Sequence, residues 1–324
     1  MLVGKIGTIS RVHKIAGSNF GRLSPAKAPT GLAPGMAPVK SFTNRSFPFL
    51  FPLSSFPFLL YLSPTIKLQW NSFMKPDLTD LTVLITGAGR GLGRHAALHL
   101  ASCGAIIGVA DIDAGNARAV AGEITTNGGK AKAYSGDMSV RETWMAAAAD
   151  FARMTGRIDA IVNNAMLLRY SPVQDVDEST LSAMLDIGVK ALFWSAQAML
   201  SHYDKDKGGT IINLASPVAT RGFPNTSVYS TVKGAVSMFT KTMAAELGPQ
   251  NIRVNAVSPA SVPTPGALGL NSKEEYEKRA AWIPLRRNGT EADNSNAIAF
   301  LLSKEASFIH GEILNVDGGV AACN

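Results

Sequence analysis

The chain has 324 residues, 17% of them charged, and a formal net charge of +7 at pH 7. Eight of its 31 lysine and arginine residues, and none of its 24 acidic residues, lie in residues 1–73, so the remainder carries 23 basic against 24 acidic residues. Because the basic excess is confined to this segment, the composition argues against a nucleic-acid-binding protein. Two cysteines and five scattered histidines argue against a disulfide framework and predict no metal site, which fits a cytoplasmic protein.

Residues 1–73 differ from the rest of the chain and predict a poorly ordered leader. They hold eight of the 17 prolines. A segment that contains serines and arginines but no acidic residue is typical of an organellar transit peptide. A misassigned start is the more economical interpretation, since Met74 directly precedes KPDLTDLTVLITG. The apolar stretch 47–62 contains three prolines and is shorter than the ~20 residues that span a bilayer. We expect no stable membrane insertion and one folded domain over residues 74–324.

A strand, a glycine turn and a helix follow the leader. The apolar run at 81–85 predicts a buried parallel strand, and TGAGRGLG then leads into a helix at 91–103. Gly87 would permit a tight turn, while Gly91 and Gly93 would let backbone N–H groups and the helix N-terminus approach a pyrophosphate. This context is the one that a dinucleotide-binding fingerprint requires.

The second strand, at 105–110, ends at Asp111, 18 residues beyond Gly93. A carboxylate in this place can accept hydrogen bonds from the ribose hydroxyls of NAD and repel the 2′-phosphate of NADP. The alternative role is a helix N-cap, since Asp111 and Asp113 both precede AGNARAVAGEI. Arg90 favours NADP, because a basic residue could meet the 2′-phosphate. Between the two cofactors we predict NAD(H).

The remaining chain alternates strands with helices, which predicts an α/β fold with a doubly wound parallel sheet and helices on both faces. The further strands are expected near 131–135, 159–163, 209–214, 252–257 and 312–316. The further helices are expected near 114–127, 139–155, 177–204, 226–248, 267–281 and 291–302. The proline- and glycine-bearing connection 260–288 predicts a substrate lid. Its apolar residues, with others at strand ends, form a candidate pocket wall: Met166, Leu167, Val218, Phe223, Leu268 and Trp282.

Tyr229 and Lys233 are four residues apart, and Ser216 lies 13 residues before the tyrosine. Positions i and i+4 share one face of a helix, so the ammonium can stabilise the tyrosinate and lower the phenol pKa from about 10. Such a phenol is a usable proton donor and acceptor near neutral pH. These three residues are the predicted catalytic set.

The ordered motifs from about residue 75 to 319 resemble the single-domain branch of the short-chain dehydrogenase/reductase superfamily. They include TGAGRGLG, Gly136-Asp137-Met138, Asn163-Asn164-Ala165, the serine–tyrosine–lysine set and IRVNAVSP. The resemblance implies a seven-stranded sheet of order 3-2-1-4-5-6-7 and a homo-oligomer, tetramer or dimer. It also implies a nicotinamide cofactor held by Gly87, Arg90, Gly91, Leu92, Gly93, Asp111, Asp137, Met138, Asn164, Tyr229, Lys233, Val262 and Thr264.

The chain departs from the family pattern at three positions. Met166 stands where the family has the glycine of N-N-A-G, and Ala260 stands where it has the glycine of P-G. Gly188 replaces a helical asparagine whose main-chain carbonyl holds a proton-relay water in the family. Glycine retains a carbonyl, so the relay can persist in a looser helix, since glycine costs about 1 kcal/mol there.

The activity implied is reversible hydride transfer between NAD(H) and a carbonyl or secondary-alcohol substrate, with Tyr229 as general acid and base. One alternative is an NADPH-dependent 3-oxoacyl-thioester (acyl carrier protein) reductase, in which Arg286 and Arg287 near the lid would meet the carrier. The other is a non-catalytic nucleotide-sensing or scaffold protein on the same fold. The location expected is the cytoplasm, or an organelle if the leader is a genuine transit peptide.

Overall fold

The computed structural model describes residues 75–268 and 271–323. The leader predicted for residues 1–73 lies outside this part of the chain. Within it, seven strands form one parallel sheet of order β3-β2-β1-β4-β5-β6-β7, which confirms the predicted topology. The strands are β1 (Thr82–Thr86), β2 (Ile106–Asp111), β3 (Lys130–Ser135), β4 (Ala160–Asn163), β5 (Gly209–Leu214), β6 (Ile252–Pro259) and β7 (Ile313–Val316).

Helices connect successive strands and cover both faces of the sheet. They are α1 (Gly91–Ser102), α2 (Ala114–Thr126), α3 (Arg141–Thr155), α4 (Glu178–Leu185), α5 (Ala191–His202), α6 (Ser227–Leu247), α7 (Pro265–Leu268), α8 (Lys273–Trp282), α9 (Glu291–Leu302) and α10 (Val320–Cys323). The central strands are mostly apolar because the sheet is buried on both sides; all five residues of β1, including its two threonines, are buried.

Two hydrophobic cores flank the sheet, one on each face. On one face α1, α2 and α9 contribute buried side chains, among them Leu100, Val120, Ile124, Ile298 and Leu301. On the other face α3, α5 and α6 contribute Trp144, Phe151, Met199, Val236 and Phe239. This double coverage fixes the register of each strand, so the residue that follows each strand is placed reproducibly at one edge of the sheet.

Two predicted helices are divided in the structure. The helix expected over 177–204 is interrupted by a π-helical turn, Asp186–Lys190, which contains Gly188. The lid helix expected over 267–281 is two helices, α7 and α8, because Ser272 starts α8 with a capping box: its hydroxyl accepts from the Glu275 N–H while the Glu275 carboxylate accepts from the Ser272 N–H.

The carboxyl ends of β1 and β4 lie side by side at the centre of the sheet. The chain order reverses there, and this is where parallel α/β sheets bind ligands. Across residues 75–268 and 271–323, no helix combines the length and apolar character needed to cross a membrane.

Candidate active site

The glycine turn after β1 brings backbone, rather than side chains, to the carboxyl edge of the sheet. Gly87 has a φ of +61°, which favours glycine, and a Cβ there would lie 2.9 Å from the Ala165 Cα. A Cβ on Gly93 would overlap the Gly87 carbonyl oxygen. The Asn164 amide braces the turn, donating to the carbonyls of Thr86 at 3.0 Å and Gly87 at 2.9 Å.

Helix α1 begins at Gly91 directly after this turn. Its N-cap, Arg90, supplies no side-chain hydrogen bond to the first turn, so the backbone N–H groups remain available to an anion. A glycine cradle without room for side chains, followed by an open helix N-terminus, fits the pyrophosphate of a dinucleotide. The residues present therefore suit the nicotinamide cofactor that the sequence resemblance implied.

Asp111 and Asp113 take different roles at the end of β2. Asp113 is the N-cap of α2, accepting from the Asn116 N–H at 2.8 Å. Asp111 is buried and accepts from the N–H groups of Gly89 at 2.8 Å and Asp113 at 3.0 Å. The helix-capping alternative therefore belongs to Asp113. Asp111 ties the glycine turn to β2 and lines the adjacent cavity.

Ser216, Tyr229 and Lys233 come together at the carboxyl end of β5. Ser216 follows that strand and accepts from the Val218 N–H at 3.5 Å. Tyr229 lies in the first turn of α6, and the Lys233 Nζ, one turn later, is 5.6 Å from the centroid of its ring. The Lys233 ammonium donates to the Leu214 carbonyl at 2.6 Å, which anchors α6 to the strand that precedes the serine.

The ionisation of this pair differs from the sequence-based expectation. We expected Lys233 to hold the pKa of Tyr229 below 10, but burial raises that pKa, Tyr170 raises it further, and only the Ser216 hydroxyl lowers it. Burial also lowers the pKa of Lys233, to about 8. Both shifts have the same cause: a site shielded from water disfavours the charged form of each group. The phenol is thus held in its protonated form.

A single cavity of about 1170 Å³ extends from the glycine turn to the lid. Every predicted catalytic and cofactor residue lines it except Gly93, which packs behind the turn. The predicted wall residues Met166, Leu167, Val218, Phe223 and Trp282 line it as well, while the side chain of Leu268 lies outside the described part of the chain. Among the further lining residues that sequence reasoning missed are Tyr170, Tyr276 and Arg279.

Two of the three departures from the family pattern lie against each other. A Cβ on Gly188 would lie 3.1 Å from the Met166 sulfur and well under 3.0 Å from Cγ1 of Val232. The methionine therefore packs against the face of the π-helical turn that lacks a side chain. The two substitutions are complementary in volume: one position has gained a side chain where the other lacks one.

Comparison with known proteins agrees with this geometry. Residues 87–321 match the family model described as enoyl-(acyl carrier protein) reductase. The chain is 35% identical over 247 residues to cyclopentanol dehydrogenase of Comamonas testosteroni, covering 76% of this chain and 98% of that one. It is 36% identical over 253 residues to trans-4-hydroxycyclohexanecarboxylate dehydrogenase of Sinomonas cyclohexanicum, covering 76% and 95%.

Solved structures give the same result. A 3-ketoacyl-(acyl-carrier-protein) reductase from Brucella melitensis, complexed with NADH, has a TM-score of 0.70 at 33% identity, covering 75% of this chain and 99% of that one. A short chain dehydrogenase from Burkholderia cenocepacia, in complex with NADP, has a TM-score of 0.72 at 29% identity, covering 76% and 100%. The chain therefore belongs to the short-chain dehydrogenase/reductase superfamily, as a nicotinamide-dependent oxidoreductase of the alcohol dehydrogenase and ketoreductase type.

Proposed function

We propose that this protein transfers a hydride reversibly between NAD(H) and a carbonyl or secondary-alcohol substrate, with Ser216, Tyr229 and Lys233 as its catalytic residues. The observation that carries the proposal is their convergence on the cavity that also contains the glycine turn. When bound, the nicotinamide supplies or accepts the hydride at its C4. The residues of the chain handle the proton and the charge that develops on the substrate oxygen.

In the reducing direction the Tyr229 phenol donates its proton to the substrate oxygen as the carbon–oxygen double bond becomes a single bond. The phenol holds this proton at neutral pH, because burial keeps it in the protonated form. Donation from so weak an acid requires a neighbouring positive charge that stabilises the tyrosinate. The Ser216 hydroxyl, at the same end of the cavity, would hydrogen-bond the same oxygen and stabilise its developing charge.

Lys233 would supply the opposite charge when the tyrosinate forms. Its Nζ lies one helical turn from the phenol and is fixed by the Leu214 carbonyl. A tyrosinate beside it favours the protonated amine, so the lysine pKa should rise above about 8 as the phenol loses its proton. In the oxidising direction the same pair accepts the proton from the alcohol.

Asp111 supports NAD over NADP. Its carboxylate lies at the carboxyl end of β2, beside the glycine turn, where a 2′-phosphate would meet a negative charge. Arg90 lines the same end of the cavity and favours the opposite choice. We assign NAD because Asp111 is buried, so its repulsion is screened less by solvent than that of an exposed charge.

The runner-up is a 3-oxoacyl-(acyl carrier protein) reductase, which the matched family description and the Brucella relative favour. The arginines expected to meet the carrier are already engaged, however. Arg287 forms a two-point ion pair with Asp293, at 2.7 and 3.0 Å, and Arg286 donates to the Ala281 carbonyl. We therefore place a free alcohol or ketone ahead of a carrier-bound thioester.

The test is a turnover screen of secondary alcohols and ketones with NAD(H) and NADP(H) in parallel. Y229F is expected to lower kcat by about 10²- to 10⁴-fold, because it removes the proton donor and leaves the ring. Y203F, at a half-buried tyrosine outside the cavity, serves as the matched control and should retain full activity. Tight NADH binding with no turnover of any substrate would favour the non-catalytic alternative.

We also propose that the protein is a homo-oligomer, dimer or tetramer. Helices α5 and α6 expose apolar side chains on their outer faces, with Phe193 49% and Met238 62% exposed, and Phe193 stacks edge-to-face on Phe239 with ring centroids 5.0 Å apart. Such a patch is typical of an interface. Light scattering of the wild type and of F193E measures the state; a monomeric wild type would refute the assignment.

A further inference from the structure

A cation lines the lid end of the cavity, away from the glycine turn. Arg279 lies in the last turn of α8 and is half-buried, and its guanidinium donates to the Asn271 Oδ1 at 2.6 Å. Among the described residues it forms no ion pair. The carboxylates that line the cavity near it are engaged elsewhere: Asp186 pairs with Lys190 at 2.5 Å, and Glu275 accepts from the Ser272 N–H at 2.6 Å.

Two phenols accompany this guanidinium. The Tyr276 ring lies 5.7 Å from the Arg279 Cζ, and the tyrosine is only 5% exposed. Within the described part of the chain, its buried hydroxyl has no hydrogen-bond partner. An unpaired buried hydroxyl is costly, so its presence beside the cavity points to a ligand group that accepts a hydrogen bond from it.

Tyr170 connects this pair to the reacting centre. Burial raises the pKa of Tyr170, while the charge of Arg279 lowers it and Tyr276 raises it, so the three polar groups lie within electrostatic reach of one another. On its other side the Tyr170 ring meets the Tyr229 ring edge-to-face, with centroids 5.7 Å apart. Tyr170 therefore contacts the proposed proton donor and lies within electrostatic reach of the cation.

We propose that the substrate carries a carboxylate, which pairs with Arg279 and accepts hydrogen bonds from the hydroxyls of Tyr276 and Tyr170. The assignment deepens the proposed function, on which it rests, by naming the class of substrate: a hydroxy or oxo acid whose carboxylate is several atoms from the reacting carbon. Phe223 and Trp282, edge-to-face at 6.2 Å, would cover the apolar middle of such a molecule at the same end of the cavity.

A carboxylate fits this subsite better than a phosphate does. A planar guanidinium with one edge held by Asn271 presents its other donors to a flat, singly charged anion with two parallel oxygens. A phosphate dianion would call for a second cation. Arg221 lies over the Trp282 ring and donates to the Val320 carbonyl at 2.8 Å. Arg169 also lines the cavity, but it is exposed and donates to the Leu168 carbonyl at 2.9 Å. The half-buried Arg279, with its two neighbouring phenols, therefore suits a singly charged anion better.

The test compares ligands that differ only in the anionic group. Binding of cyclohexanecarboxylate, its methyl ester and cyclohexanesulfonate is measured by calorimetry, with NADH present and absent, on the wild type, R279M, R279K and Y276F. K278M is the matched control, because it removes one charge from the adjacent, exposed position of the same helix. Turnover of trans-4-hydroxycyclohexanecarboxylate and its methyl ester is measured in parallel, and thermal melts check that each variant is folded.

We expect the acid to bind the wild type more tightly than the ester or the sulfonate. R279M should weaken acid binding by about 10- to 100-fold and leave ester binding unchanged, since it removes a hydrogen-bonded ion pair but keeps the apolar stem. R279K should recover part of the loss, Y276F should weaken acid binding less than R279M does, and K278M should stay within twofold of the wild type.

Equal binding of acid and ester, no binding of the acid, or equal losses in R279M and K278M would overturn the subsite. Tighter binding of the sulfonate would overturn the choice of carboxylate. The catalytic proposal and the carboxylate subsite can be refuted separately. If the acid binds in an Arg279-dependent way but no alcohol is turned over, the catalytic proposal alone is refuted. Turnover that is indifferent to Arg279 refutes the carboxylate subsite alone.

Discussion

The contact between Gly188 and Val232 allows a quantitative test of why this chain has glycine where its family has asparagine. In G188A the new methyl group would lie well under 3.0 Å from the Val232 Cγ1. Val232 is fully buried and β-branched, so it has few alternative rotamers and the helix must shift. The neighbouring residue in α6 is Lys233, so the shift should displace the ammonium from its place beside Tyr229.

Two opposing effects determine how G188A changes the free energy of unfolding. Overpacking costs about 1–3 kcal/mol, while replacing glycine in a helix regains about 1 kcal/mol, so G188A should be destabilised by about 1 kcal/mol. V232A should cost about 2 kcal/mol through the cavity that it leaves. In the double variant the alanine methyl at position 188 fills part of that cavity, so the double change should cost about 1 kcal/mol less than the sum of the single changes.

Urea unfolding of the four proteins in this cycle measures the coupling. G234A is the matched control, because its new methyl in α6 has no neighbour closer than the Ala219 carbonyl oxygen at 4.0 Å and should gain the helical stability without overlap. The expected loss of kcat in G188A is about 10-fold or more, given how steeply turnover depends on the position of reacting groups. Additive free energies in the cycle, or a G188A protein stabilised as much as G234A, would refute the packing argument.

Two further predictions concern charge. D111S should raise kcat/KM with NADP and lower it with NAD, shifting the preference by about 10-fold or more because it removes both the ribose acceptor and the repulsion. D113A, which loses only a helix cap worth about 0.5–2 kcal/mol, should be less stable with an unchanged cofactor preference. An unchanged preference in D111S would count against the NAD assignment. For Lys233, the folded-state pKa of about 8 lies below the unfolded value, so the unfolded chain binds more protons and stability rises as pH increases through this interval. Urea unfolding of the cofactor-free protein should show a gain of about 2 kcal/mol from pH 7 to pH 10 that K233M lacks; a slope retained in K233M would assign it to another group.

The sheet and most of the site were predictable because both depend on local sequence. Strands buried on two faces are predominantly apolar. Polar or glycine residues at or just after their carboxyl ends, such as Gly87, Asp111 and Ser216, mark one edge of the sheet. The order of the strands and helices along the chain is then enough to predict that these strand ends meet at one edge of the sheet. Tyr229 and Lys233 were recognisable through their spacing on a helix.

What could not be predicted depends on packing between distant segments. The π-helical turn at Gly188 is fitted to Val232 and Met166, which come from other elements. Tyr276 and Arg279 lie in a strongly charged helix whose pattern resembles a solvated surface, and only the folded structure shows that they line a cavity. The predicted direction of the Tyr229 pKa shift was wrong. Burial dominates this shift, and the spacing of residues along the chain does not reveal burial.

The hydrogen bond from Lys233 to the Leu214 carbonyl has a consequence for how this enzyme can diversify. It joins α6 to the end of β5, two residues before Ser216, so the groups that we propose to handle the proton are tied directly to the sheet. The lid is a separate pair of helices, α7 and α8, with its own capping box. Exchanging the lid between paralogues, or randomising the α8 face that bears Tyr276 and Arg279, should therefore change which molecules are accepted while the chemical step is preserved.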